Sequence, residues 1–122
     1  MNAVNILYCS GYDYVVNAIQ SGQKLLEEKG LTSFLFRYWG GEGGVESEKD
    51  GAVIPDKFDI IILDSDAGHD LFASLIKDLP RLQKEKTLLL SIFGTEYLRN
   101  LGFKDLGCCY EQLADEISSF AM

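Results

Sequence analysis

The sequence predicts an α/β fold, a three-layer α/β/α sandwich around a mostly parallel sheet of about five strands, and three observations carry that expectation. The stretch Phe58-Asp59-Ile60-Ile61-Ile62-Leu63-Asp64-Ser65-Asp66 sets a run of branched aliphatics before an acidic cluster, the pattern of a strand buried on both faces and ending at a site. On either side of it, segments with the period of a strand alternate with segments with the period of a helix. The 122 residues, 47% of them hydrophobic, suffice for one core and not for two, so a single domain over 1–122 is expected.

Val4 to Cys9 is an apolar run stopped by Ser10 and Gly11, which predicts a first strand. Val15, Ile19, Gly22 and Leu26 then recur at helical spacing, predicting a helix over about 12–29 that Gly30 closes with a left-handed stop. Over 31–39, Phe34, Phe36 and Tyr38 alternate with Leu35, Arg37 and Trp39 as a second strand. From 40 to 57, Gly40, Gly41, Gly43, Gly44 and Gly51 stand among Glu42, Glu46, Glu48 and Asp50. That stretch has too few apolar residues to pin an element, so a mobile acidic loop holding at most a weak helical turn is expected.

After the central strand, Asp66 or Asp70 can cap a helix with Leu71, Phe72, Leu75, Ile76 and Leu79 facing inward, which Pro80 ends or kinks. Thr87 to Phe93 predicts a fourth buried strand, and Thr95 caps a short helix that Gly102 stops. Residues 103–109 hold a short fifth strand. A last helix over 110–121 places Leu113, Ile117 and Phe120 on one face.

With 11 basic and 19 acidic side chains the formal charge is -8, which repels phosphate backbones and anionic lipid; neither nucleic acid nor a membrane is expected as a partner. No apolar run approaches the roughly 20 residues that span a bilayer, and no basic-then-apolar leader precedes Asn5, so a cytoplasmic location is expected. Cys9, Cys108 and Cys109 are an odd number, which favours reduced thiols over a disulfide framework.

Three local motifs point to a known family. Asp59-Ile60-Ile61-Ile62-Leu63-Asp64 resembles the third strand of response-regulator receiver domains, whose last aspartate accepts a phosphoryl group. Ser91 falls at the family's phosphate-sensing hydroxyl, and Leu98-Arg99-Asn100-Leu101-Gly102 is similar to the helix ending in Leu-Gly before its last strand. The resemblance implies a flavodoxin-like fold, with Asp64 as candidate phosphoacceptor and Asp66, Ser91, Asp13 and Lys104 as candidate supporting residues. It also implies a face at about 95–110 that a protein partner or a second copy reads. The departures are specific. Cys9 and Ser10 occupy the place of the family's magnesium-binding acidic pair, and Gly107, Cys108 and Cys109 the region of its lysine and proline. Magnesium needs hard oxygen ligands, and phosphoryl transfer needs a cation on the developing charge. What is implied is therefore a degenerate receiver acting by protein contact, with phosphorylation lost or altered and no cofactor required.

Other readings of the same residues stand beside this one. Asp64 and Ser65 can simply begin a turn, with Asp66 a helix cap, and His69 alone makes no multi-histidine centre. Cys9-Ser10-Gly11 is similar to the phosphocysteine loop of the phosphotransferase-system enzyme IIB components, making Cys9 an alternative nucleophile. Against that, Tyr12-Asp13-Tyr14 adds bulk and a carboxylate where the loop holds phosphate, and a buried cysteine serves equally as a small hydrophobe. Flavin mononucleotide (FMN) is a further alternative, with Trp39 and the tyrosines able to stack on a ring, although Ser10 is the sole hydroxyl before Tyr12 to hold its phosphate.

Overall fold

The computed structural model describes residues 3–10, 12–38, 45–48, 58–64, 87–90, 104–106 and 111–120. Within them the chain forms β1 (Ala3–Cys9), α1 (Asp13–Glu28), β2 (Thr32–Tyr38), β3 (Val45–Ser47), β4 (Ile60–Asp64), β5 (Thr87–Leu90), β6 (Lys104–Asp105) and α2 (Glu111–Phe120). The strands make one sheet in the order β3-β2-β1-β4-β5-β6. Every neighbouring pair is parallel except β2 with β3. Leaving out the antiparallel β3, the five parallel strands run second, first, third, fourth, fifth, which is the order of the flavodoxin-like α/β fold.

Strict alternation along the strands divides the core between two faces. Val4, Ile6 and Tyr8 of β1, Ile60 and Ile62 of β4 and Leu88 and Leu90 of β5 pack with Val15, Ile19 and Leu26 of α1 and Leu113 and Ile117 of α2. Leu7 and Cys9, with Ile61 and Leu63, point to the other face and meet Phe36. Both faces are apolar, as a parallel sheet requires, and this is why β4 reads as a continuous apolar run. It begins at Ile60 because Asp59 extends the ladder with its side chain. The Asn5 amide donates to Asp59 Oδ2 and the Asp59 amide to the Asn5 carbonyl, each at 2.8 Å.

The helix ends follow local chemistry. Gly30 takes φ 80°, and the Leu31 amide donates to Leu26 O at 3.0 Å while that of Gly30 donates to Glu27 O at 2.9 Å, the paired bonds of a Schellman cap. Leu31 then turns into the core. Gly22 lies on the buried stripe of α1 where α2 crosses: a Cβ there would stand 2.9 Å from Ile117 Cβ, so the close approach needs its absence. Lys29 Nζ ties the two helices at one end by donating to the Ser118 carbonyl at 2.9 Å.

One expectation is corrected. Within 40–57, expected as a loop with at most a helical turn, Val45–Ser47 is an edge strand antiparallel to β2. The ladder continues through the Glu48 amide to the Leu35 carbonyl, and the buried Tyr8 hydroxyl donates to the Glu48 carboxylate. Such a strand, with Val45 its one apolar residue, is held by its neighbours' backbone and by that phenol, so it has no hydrophobic period to read. The helices expected around Leu71–Leu79 and from Thr95 lie outside the described residues. No helix among the described residues is long and apolar enough to cross a membrane.

Gly22→Ala should destabilise the fold by about 1–3 kcal/mol through overpacking against Ile117, although alanine is intrinsically the better helix former. Urea denaturation measures it, and a gain in stability would show that the helices do not pack this closely.

Candidate functional site

In an open parallel sheet the strand order reverses at one point, and the carboxyl ends of the two strands there diverge into a crevice. Here that point lies between β1 and β4. Cys9 is level with Leu63, so the next residues, Ser10 and Asp64, meet at the rim on the face covered by α1. Ser10 Oγ donates to Asp64 Oδ2 at 2.8 Å, and each residue is 1% exposed.

The same hydroxyl serves the helix. Tyr12 occupies the N-cap position of α1 in an extended conformation and makes no side-chain cap bond; the Tyr12 amide donates to Ser10 Oγ at 3.2 Å. The Tyr12 carbonyl accepts the first helical bonds from Val15 and Val16. Ser10 thus joins the end of β4 to the start of α1. Asp13 follows in the first turn, exposed, where a carboxylate complements the positive end of the helix. Tyr12 and Tyr14 flank it, 39% and 45% exposed, with their rings stacked at 5.1 Å and 17°.

Cys9 lies directly before Ser10 but points to the opposite face and is fully buried. Burial, reinforced by the charge of Asp64 and opposed by that of Arg37, pushes its thiol up to about 12. At neutral pH it is a protonated, enclosed thiol, the reverse of what a nucleophilic cysteine needs. Tyr8 is likewise held above the ordinary phenol range, by burial first and then by the Glu48 carboxylate.

Lys104 stands level with Leu88, which is level with Ile62, two residues before the end of β4. Its ammonium donates to Glu116 Oε1 at 2.7 Å on the surface, so the structure pairs it with α2 and not with Asp64. Asp66, His69, Ser91, Cys108, Cys109 and all of 95–110 except Lys104–Leu106 lie outside the described residues. Among the described residues no group of three or more His, Cys, Asp or Glu side chains is placed to hold a metal.

No protein-family model, curated protein or solved structure matches this chain. The site consists of a buried carboxylate with a hydroxyl donor, a Tyr12 amide bonded to that same hydroxyl, and the exposed Asp13 in the first turn of α1. Its two acidic residues, the exposed Asp13 and the buried Asp64, add negative charge where a phosphate would have to bind.

Ser10→Ala removes the donor to a buried carboxylate and the acceptor for the Tyr12 amide, and should cost about 1–3 kcal/mol in a urea titration. Because the Cys9 thiol is held above its ordinary 9.0 in the folded state, its contribution is complete below that value and is lost as pH rises towards about 12. Melting temperatures measured from pH 7 to 11 should therefore fall at the alkaline end, and less steeply in Cys9→Ala; equal slopes would refute the assignment.

Proposed function

We propose that the chain is a receiver-like signalling domain that works by contact with a protein partner and has no phosphoryl chemistry at Asp64. The observation that carries this reading is the buried Ser10–Asp64 hydrogen bond. A phosphoacceptor must bring a free carboxylate oxygen in line with the donor phosphorus, beside a cation that takes up the developing charge. Here one oxygen of Asp64 accepts from Ser10 and the residue is closed to solvent. The position of the receiver's metal-binding pair is taken by a thiol facing the other way and by the hydroxyl that occupies Asp64.

Strand order and the acid at the end of the central strand support the receiver likeness, and the closed carboxylate supports loss of its reaction. With the chemistry removed, the fold retains what a contact module uses, a rigid sheet that presents helix and loop surfaces. The phosphocysteine reading is weaker because Cys9 is protonated and enclosed, and the flavin reading because Asp13 and Asp64 oppose a phosphate.

Incubation with magnesium and acetyl phosphate, followed by intact-mass measurement, should leave the protein without a phosphoryl adduct. An adduct that disappears in Asp64→Asn would overturn the reading.

A further inference from the structure

We draw no further inference here: the strongest candidate, the side-chain cluster of Tyr8, Arg37, Glu46 and Glu48 where the edge strand β3 lies against β2, carries nothing beyond its part in the fold, because the Tyr8 hydroxyl already donates to the Glu48 carboxylate and nothing among the described residues shows that β3 leaves this edge or what would take its place.

Discussion

Two strands distant in sequence, β1 and β4, lie side by side at the middle of the sheet, and their parallel pairing from Ile6 with Ile60 to Cys9 with Leu63 is the constraint on which the domain rests. Because both strands are buried on both faces, their side chains belong alternately to two apolar cores, and a slip of one residue would exchange the contents of those cores. The start of the register is set by the reciprocal bonds between Asn5 and Asp59. Its end brings Ser10 level with Asp64. The crevice where a fold of this order ordinarily keeps its chemistry is therefore bounded by a hydroxyl and a carboxylate that satisfy each other.

That mutual satisfaction has consequences outward from the rim. A buried carboxylate without a donor is costly; one serine hydroxyl donates to that of Asp64 and accepts from the Tyr12 amide at the entry to α1. The Asp64 charge, held in place, adds to burial in keeping the neighbouring Cys9 thiol protonated. Among the described residues at this end of the sheet, Ser10 and Asp64 are buried and bonded to each other, and Tyr12, Asp13 and Tyr14 are exposed.

The other end of the sheet's width shows the same economy of anchors. Tyr8 extends from the core of β1 to Glu48, and this bond, with a three-residue ladder, holds Val45–Glu48 against β2. Arg37 lies level with both Tyr8 and Glu46, so a cation stands among the acids of that edge. The acidic edge strand also blunts the sheet against pairing with other chains.

Local patterning determined much of this protein by itself. The apolar runs around Ile6 and Ile62, the stripe of Val15, Ile19, Gly22 and Leu26, the Gly30 stop, and Leu113 with Ile117 each write their element into adjacent residues, because burial selects side chains at the period of the backbone. That Asp64 closes the central strand was legible for the same reason. Its partner was not, since Ser10 is 54 residues away and nothing in either neighbourhood marks the pair. Nor was β3, whose anchor from Tyr8 to Glu48 spans 40 residues. Lys104, near the right place in the chain, was drawn to Glu116 by the helix that packs beside it. Sequence marked the strands and helices whose own side chains carry a hydrophobic period, because those are short-range choices; the assembled sheet decided where β3 pairs and which polar groups meet at the rim, because hydrogen bonds between distant residues exist only once it has formed.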